Sequence, residues 1–150
     1  MTILNKIIAR KKHEISDSKS KISLQQLKDS EFFERETYSL KETLPSKSGI
    51  IAEFKRKSPS KGVINDKVSS LEVTSAYANF GASGISILTD KDFFGGSFED
   101  ILSVRNHIHI PILRKDFMID EYQFYEAKGM GADVVLLIAA CLSPQQVQEF

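Results

Sequence analysis

The sequence predicts an α/β fold in which short parallel strands alternate with helices. Four apolar runs of strand length, rich in Ile, Leu and Val, occur at residues 49–55, 84–89, 109–115 and 133–139. Candidate helices separate these runs and cover residues 69–80, 97–107 and 120–130. The order is therefore βαβαβαβ, and strands that are apolar on both faces are typical of a parallel sheet covered by helices.

The segment before the first strand, residues 1–45, is predicted to be helical and polar. Thr2 stands where it could cap the first helix. The apolar residues that follow it recur at helical spacing and are Ile3, Leu4, Ile7, Ile8 and Ile15. A run of Ser, Lys, Pro and Gly then ends at Gly49. We therefore expect an N-terminal helical extension over 1–45 and a strand-containing part over 46–150.

Two of the returns from helix to strand share a local pattern. Gly81 follows the first candidate helix, and Gly131 follows the third. In both cases an alanine comes next and an apolar strand begins shortly afterwards. A glycine just past a helix end can adopt the left-handed conformation that closes the helix. The repetition indicates a repeated βα unit.

The last residues predict the start of a further helix. Ser143 and Pro144 form a good N-cap and first-turn pair, and Val147 and Phe150 begin an apolar face. Because the sequence stops early in this helix, we expect the chain to be the N-terminal part of a longer protein. Four βα units are half of the eight that close a (β/α)8 barrel, also called a TIM barrel. Residues 46–150 would then form the first half of such a barrel and end inside its fourth helix.

Composition and charge exclude several classes of protein. The length of 150 residues suits one domain, and 20 basic residues balance 20 acidic ones, so no overall field favours nucleic acid or an anionic membrane. Cys141 is the single cysteine, which excludes an internal disulfide framework and a four-cysteine zinc site. No apolar run is long enough to span a membrane, and the N-terminus fits neither a secretory signal nor a transit peptide. We therefore expect a cytoplasmic protein.

Two opposite charges on one face of the first strand are the strongest indication of a functional site. Side chains alternate along a strand, so Ile51, Glu53 and Lys55 point the same way. Burying an acid and a base at the end of a strand costs free energy unless they are paired or hydrated, and such residues are otherwise kept for a function. The pattern predicts either a structural ion pair at the rim of the sheet or residues of a site.

A second strand that ends in charge favours the site. Lys115 ends the run 109–115, and in a parallel βα array the active site gathers at the C-terminal ends of the strands. We therefore expect Glu53, Lys55 and Lys115 to meet there. A lysine that is crowded by another cation and partly desolvated can act as a general acid, and two lysines can clamp a carboxylate or phosphate.

The remaining motifs allow more than one interpretation. The basic loop from Arg56 to Lys61 either belongs to the site or is a localisation, phosphorylation or nucleic-acid segment. The glycines of FFGGS at 93–97 either let the backbone approach a ligand or form a plain turn before a helix capped by Ser97. His107, His109 and Cys141 lack partners at ligand or catalytic spacing, so we expect no metal site and an unreactive thiol.

Several of these motifs together resemble the N-terminal part of the indole-3-glycerol phosphate synthase family. The resemblance rests on runs that follow one another in family order and spacing. They are IAEFKRKSPS at 51–60, LTD at 88–90, FFGGS at 93–97, PILRKDF at 111–117, DEYQ at 120–123 and GADVVLLI at 131–138. These runs cover most of residues 50–139, and the first and fourth of them are specific to the family.

The resemblance implies a (β/α)8 barrel whose helical N-terminal extension covers the mouth. It also implies a reaction in tryptophan biosynthesis, in which a carboxy-lyase closes a ring. The substrate is 1-(2-carboxyphenylamino)-1-deoxyribulose 5-phosphate, and its conversion to indole-3-glycerol phosphate releases CO2 and water. No metal or organic cofactor is implied, and the expected partner is this small phosphorylated molecule rather than nucleic acid or a membrane.

The resemblance also implies roles for residues at matching positions. Lys115 resembles the general acid that protonates the ketone oxygen during ring closure. Lys55 and Glu53 resemble a coupled pair that orients the substrate carboxylate and assists dehydration, and the division of the acid role between the two lysines stays open. Ser58 resembles a contact on the phosphate side of the substrate. Phe94 and Phe117 resemble apolar walls around the anilino ring.

Other parts of the family pattern belong to sequence beyond Phe150. They are a second glutamate, an asparagine and the glycine-rich phosphate-binding loops of later strands. We therefore expect the chain alone to be inactive and to need the C-terminal half of the barrel. The residues by themselves leave two alternative functions open. One is another phosphosugar barrel enzyme, such as phosphoribosylanthranilate isomerase, against which Glu53, Lys55 and Lys115 together argue. The other is a non-catalytic half-barrel or interaction module.

Overall fold

The computed structural model describes residues 2–150 and contains a four-stranded parallel sheet with helices in the connections. The strands of this sheet are β1 (Ile51–Phe54), β4 (Gly84–Leu88), β5 (Ile112–Lys115) and β6 (Val134–Val135). A separate antiparallel hairpin pairs β2 (Lys57–Ser58) with β3 (Gly62–Val63). The helices are α1 (Ile3–Lys21), α2 (Leu24–Lys28), α3 (Leu40–Ser46), α4 (Ser70–Asn79), α5 (Lys91–Phe94), α6 (Phe98–Arg105), α7 (Tyr122–Gly129) and α8 (Pro144–Glu149).

The spatial order of the parallel strands follows the order of the chain, β1-β4-β5-β6. Helix α4 lies between β1 and β4 in the chain, α6 between β4 and β5, and α7 between β5 and β6. Successive units of a βα barrel are arranged in this way, whereas a doubly wound sheet reverses its strand order. The predicted parallel α/β fold is therefore confirmed, and its four units correspond to half of a TIM barrel.

The main core is formed by the sheet together with the helices that cover it. Its most deeply buried apolar side chains are Ile85, Ile87, Ile101, Val104, Ile108 and Ile112. Within β4, Ile85 and Ile87 alternate with Ser86, so the strand directs its apolar side chains to the helix-covered face. Ser86 therefore belongs to the other face, which it shares with Glu53 of the neighbouring strand.

The N-terminal helices pack against the sheet-containing part of the chain. A backbone N–H of the first turn donates to Thr2 Oγ1 at 3.2 Å, so the predicted cap of α1 is confirmed. Ile7 and Ile15 are buried on one face of this helix. Both α1 and α2 contact α7, where the Tyr122 hydroxyl donates to the Ile22 carbonyl at 2.8 Å.

The bounds of two strands differ from the expected ones. Strand β5 starts at Ile112 rather than at 109, and β6 is limited to the two residues that pair with β5 rather than covering 133–139. Residues 139–141 form a 3₁₀ turn. The loop after β1 contains the hairpin β2–β3, which has no counterpart in the sequence pattern.

The glycines that follow α4 and α7 close these helices as expected. Gly81 has φ = 91° and Gly131 has φ = 95°, both in the left-handed region. At Gly131 an added Cβ would also lie 2.6 Å from Cγ of Arg105, so packing as well as conformation requires glycine there. The predicted repetition of the βα unit is therefore confirmed at these two positions.

A buried ionic cluster lies at the N-terminal ends of β5 and β6. The Asp133 carboxylate is fully buried and accepts bonds from Arg35 Nη2 at 2.6 Å, Arg105 Nη1 at 2.5 Å and the backbone N–H groups of Tyr38 and Ile112 at 2.9 and 2.8 Å. Burial lowers the pKa of the Arg105 guanidinium, although the charge of Asp133 opposes this. Asp133 thus joins the segment before α3, the end of α6 and two strands.

Candidate active site

Three charged side chains lie together at the C-terminal ends of β1 and β5. Lys115 Nζ donates to Glu53 Oε2 at 3.0 Å, and Lys55 Nζ forms an ion pair with Glu53 Oε1 at 3.4 Å. About a third of each side chain is exposed: 33% for both lysines and 30% for Glu53. The carboxylate therefore bridges two cations that remain accessible to a ligand.

The neighbouring strand β4 contributes a hydroxyl to this cluster. Ser86 stands opposite Glu53 in the register of β1 and β4, and its Oγ donates to Glu53 Oε2 at 3.0 Å. Burial opposes ionisation of Glu53, but the hydrogen bond and charge of Lys115, the Ser86 hydroxyl and the charge of Lys55 outweigh it. The pKa of Glu53 is therefore below its ordinary value, and the carboxylate is ionised near neutral pH.

Two aromatic rings stand beside the strand ends. Phe94 lies in the short helix α5 after β4, and Phe117 follows β5; their ring centroids are 6.1 Å apart and the planes are tilted by 41°. Asp90 caps α5 by accepting the N–H groups of Phe93 and Phe94 at 2.8 and 3.3 Å. The two rings are thus supplied by successive βα connections.

The two glycines after Phe94 are required by the conformation and the close packing of the backbone. Gly95 ends α5 in a left-handed conformation with φ = 65°. An added Cβ at Gly96 would lie 2.1 Å from the carbonyl oxygen of Leu88 and 2.9 Å from Cα of Thr89. The close approach that requires Gly96 is therefore to the end of β4. The predicted cap is present as well, since the Glu99 N–H donates to Ser97 Oγ at 3.2 Å.

Ser58 lies in the hairpin β2–β3 and is not hydrogen-bonded to the charged cluster. Its Oγ accepts the Lys61 N–H at 3.3 Å and lies 3.4 Å from Ser60 Oγ. The hairpin is fastened at its base by Arg56, which forms two bonds with Asp100 of α6 and lies over the Phe54 ring. The structure therefore places the sequence-predicted residue Ser58 in the hairpin that follows β1, with its hydroxyl held by its own turn.

Two basic residues of the loop form contacts within the protein. Arg56 is bound to Asp100, and Lys57 Nζ donates to the carbonyl of Asp92 at 2.8 Å. The hydrogen bond and the charge of Asp100 raise the pKa of Arg56, while partial burial opposes them. These contacts tie the loop to the connection between β4 and α6, which favours its assignment to the site over a free nucleic-acid segment.

A buried lysine links the N-terminal helix to the same strand ends. Lys11 Nζ lies 2.9 Å from Asp116 Oδ1, 3.0 Å from Asp90 Oδ2 and 2.6 Å from Glu14 Oε2. Burial alone would lower the pKa of Lys11, but the carboxylates of Asp116 and Asp90 outweigh it and raise it. Asp90 Oδ2 has the distance of an ion pair without the geometry of a hydrogen bond.

A cleft of about 520 Å³ beside α1 does not include the charged cluster. Its walls come from α1, the β4–α6 connection and the buried residues Arg114, Asp116, Gln123 and Glu126. These groups bind one another: Arg114 contacts both Asp116 and Glu126. We place the candidate site at Glu53, Lys55 and Lys115 instead, because these charges stand at the C-terminal ends of parallel strands, where βα arrays gather their active sites.

Neither a metal site nor a membrane span is found among residues 2–150. No three His, Cys, Asp or Glu side chains in this range are grouped so that they could hold a metal ion. No helix in this range is long and apolar enough to cross a membrane. His109 Nδ1 lies 3.4 Å from the Tyr38 hydroxyl, near the opposite ends of the strands. Burial raises the pKa of the Cys141 thiol, which disfavours the reactive thiolate.

The sequence matches one protein family over nearly its whole length. The family model for indole-3-glycerol phosphate synthase matches residues 4–150. The chain belongs to the indole-3-glycerol phosphate synthase family. The matched range includes the extension, all the parallel strands and each of the site residues described above.

Relatives with the name indole-3-glycerol phosphate synthase occur in several bacteria. The protein from Bacteroides thetaiotaomicron is 51% identical over 148 residues, and the alignment covers 98% of this chain and 57% of the relative. The protein from Acinetobacter baylyi is 45% identical over 152 residues, with 99% and 56% covered. The protein from Neisseria meningitidis serogroup B is 40% identical over 153 residues, with 99% and 59% covered. The chain therefore spans somewhat more than half the length of these family members.

The sequence analysis did not identify Ser86, which binds Glu53, or Lys11, which binds the aspartates that follow β4 and β5. Ser86 lies inside an apolar run, where a single serine gives no signal of its own. Lys11 did leave a signal, because it occupies the buried helical face between Ile7 and Ile15, at intervals of four residues. A charged residue at an apolar position of a helix indicates a buried partner, here Asp90 and Asp116.

Proposed function

We propose that this chain supplies the first half of an indole-3-glycerol phosphate synthase. The enzyme would close the ring of 1-(2-carboxyphenylamino)-1-deoxyribulose 5-phosphate and release CO2 and water, forming indole-3-glycerol phosphate. The observation that carries the proposal is the cluster of Lys115, Glu53 and Lys55 at the strand ends of a chain that belongs to this family. Carbonyl activation requires a proton donor, and a departing carboxylate requires cationic neighbours.

Each member of the cluster has a proposed role. Lys115 is the general acid that protonates the ketone oxygen as the new carbon–carbon bond forms. Lys55 holds the substrate carboxylate that leaves as CO2, and Glu53 assists the loss of water. The ionised Glu53 carboxylate supports these roles, because its bonds to both lysines fix their Nζ atoms relative to one another.

Three further residues are proposed to bind the substrate. Phe94 and Phe117 would form apolar walls for the anilino ring, which is supported by the packing of their rings 6.1 Å apart in the connections after β4 and β5. Ser58 would contact the phosphate side. Its hydroxyl accepts the Lys61 N–H, which leaves the hydrogen of the hydroxyl group available for donation to a phosphate oxygen. No cofactor is required by these roles.

We propose that activity needs a second half of the barrel. The relatives extend beyond the matched region, and we expect the second glutamate, the asparagine and the phosphate-binding loops of the family pattern to lie in that extension. In this arrangement residues 1–45 cover the barrel mouth and residues 46–150 form its first half. The partners are the other half and a small phosphorylated substrate, not nucleic acid or a membrane, and the cytoplasm is the proposed location. The pairing of β1 and β6 with one strand each in the described sheet supports this.

The proposal is tested on the complete barrel. This term means the present chain joined to a C-terminal half, which is taken from its own gene or from the B. thetaiotaomicron relative. We expect indole-3-glycerol phosphate to form when synthetic substrate is added to the complete barrel. Residues 1–150 alone should give no product and should associate, because unpaired strand edges seek partners. Mixing with a separately made C-terminal half should restore solubility and turnover together. Turnover by residues 1–150 alone, or a stable monomer by light scattering at micromolar concentration, would contradict the half-barrel proposal.

Glu53 and Lys55 should act as a unit in the complete barrel. We expect Glu53→Gln and Lys55→Ala each to lower kcat, with a combined loss smaller than the product of the single losses. The reason is that each substitution disrupts the same bridged arrangement, in which Glu53 Oε1 lies 3.4 Å from Lys55 Nζ. A double-mutant cycle on kcat measures the coupling. Independent losses would show that the two side chains do not work together.

A further inference from the structure

We propose that Ser86 is a positioning residue, whose hydroxyl fixes the Glu53 carboxylate so that one oxygen serves Lys115 and the other serves Lys55. The inference deepens the proposed function and rests on it, because it concerns the same cluster. Ser86 belongs to β4, the strand between the two that carry the charged residues. It is thus placed to relate Glu53 of β1 to Lys115 of β5.

The geometry assigns each carboxylate oxygen to a different lysine. Glu53 Oε2 accepts Ser86 Oγ at 3.0 Å and Lys115 Nζ at 3.0 Å, while Oε1 lies 3.4 Å from Lys55 Nζ. A carboxylate oxygen has about two favourable acceptor sites, so Oε2 is fully used. The terminal torsion of a glutamate is broad and weakly restrained by sterics. The Ser86 hydroxyl therefore supplies the restraint that the side chain itself lacks.

The strand offers a reason for a serine at this position. Ser86 is only 4% exposed and is flanked by the buried Ile85 and Ile87. A buried hydroxyl costs free energy unless it is hydrogen-bonded. Glu53 Oε2 is its acceptor, and it is also the acceptor of the proposed general acid. The polar side chain in an apolar strand is thus explained by the orientation it gives to Glu53.

The hydroxyl also helps to keep Glu53 charged. Burial of Glu53 opposes its ionisation, and the contacts of Lys115, Ser86 and Lys55 together lower its pKa. These lysines come from β5 and β1, and α4 adds Tyr77, whose hydroxyl donates to the backbone carbonyl of Glu53 at 3.3 Å. Removing the Ser86 hydroxyl leaves these groups in place and raises the pKa of Glu53. If Glu53 must be ionised for turnover, the acid limb of the pH–rate profile then moves to higher pH.

The test is Ser86→Ala in the complete barrel. We expect kcat to fall by about 10-fold to 100-fold, the range that corresponds to one hydrogen bond to a charged group. KM should change little, since the lost bond orients catalytic groups and not the substrate. The matched control is Ser83→Ala, because Ser83 is also buried but binds the Gly49 N–H at 2.8 Å near the other end of β4. That control should lower stability and leave kcat and the acid limb unchanged.

A second measurement separates this inference from the proposed function. Carbon-13 NMR of the side-chain carboxyls, with Glu53 assigned through Glu53→Gln, follows the ionisation of Glu53 without any turnover. We expect its pKa to be higher in Ser86→Ala, and in Ser86→Cys should the alanine variant not fold. An unchanged pKa of Glu53 overturns the inference. So does parental kcat with an unmoved acid limb in Ser86→Ala, when Lys115→Ala is inactive in the same assay. A complete barrel without synthase activity overturns the proposed function, and the NMR result then still decides whether Ser86 controls Glu53.

Discussion

Replacing Lys115 by alanine in the complete barrel should lower kcat by about 100-fold to 10,000-fold, the usual contribution of a general acid. Lys115 is the only member of the cluster on β5, and its Nζ is held at 3.0 Å from Glu53 Oε2. Alanine removes the proton donor without a replacement at that point. The rate of indole-3-glycerol phosphate formation at saturating substrate gives the size of the effect.

The fold should survive this substitution, because Lys115 is one-third exposed and ion pairs of that kind contribute about 1 kcal/mol or less. Circular dichroism and urea unfolding of Lys115→Ala would check this. The matched control is Lys47→Ala, which removes an exposed lysine just after α3 and should leave kcat at the parental value. A correctly folded Lys115→Ala variant with near-normal turnover would remove Lys115 from the mechanism.

Replacing Asp133 by asparagine should destabilise the complete barrel by about 3–5 kcal/mol, the cost of breaking a buried ion pair from one side. The carboxylate accepts from two guanidiniums and two backbone N–H groups, and both it and Arg105 are fully buried. An asparagine keeps the shape but brings an NH2 group that must face a donor. Arg105 would then be left with an uncompensated charge.

Urea unfolding monitored by circular dichroism measures this loss as a change in the free energy of unfolding. Asp66→Asn, which changes an exposed aspartate in the loop before α4, is the matched control and should be nearly neutral. The kcat of folded Asp133→Asn should be close to the parental value. The ionic cluster around Asp133 lies at the N-terminal ends of the strands, whereas Lys115 lies at their C-terminal ends. A loss below about 1 kcal/mol would mean that the surrounding donors find other acceptors.

The strands that build the site could be predicted because their sequences carry a local signal. β1, β4 and β5 are apolar runs bounded by turn residues, and parallel strands bring their C-terminal ends to one edge. From these two facts alone the sequence predicts that Glu53 and Lys115 approach each other, and the structure has them 3.0 Å apart. The role of the glycines after α4 and α7 could also be predicted from the sequence, because the left-handed conformation that ends a helix favours glycine.

Other features could not be predicted because they depend on contacts between distant segments. A hairpin with two residues in each strand has no measurable periodicity, so β2 and β3 have no signature beyond Gly62, whose φ is 66°. The length of β6 is set by pairing with β5 and not by its own apolar residues. The role of Ser86 depends on the strand register, which places it opposite Glu53. In each case the deciding partner lies on another element.

The position of Lys11 has a consequence for how the molecule opens. Its ammonium group is shared by aspartates that follow β4 and β5, so α1 cannot detach without leaving buried charges on two successive connections. Opening of the middle of this helix therefore carries the cost of leaving buried charges unpaired. Slow amide hydrogen exchange should extend from the sheet into the middle of α1, making the helix part of the same cooperative unfolding unit as the strands.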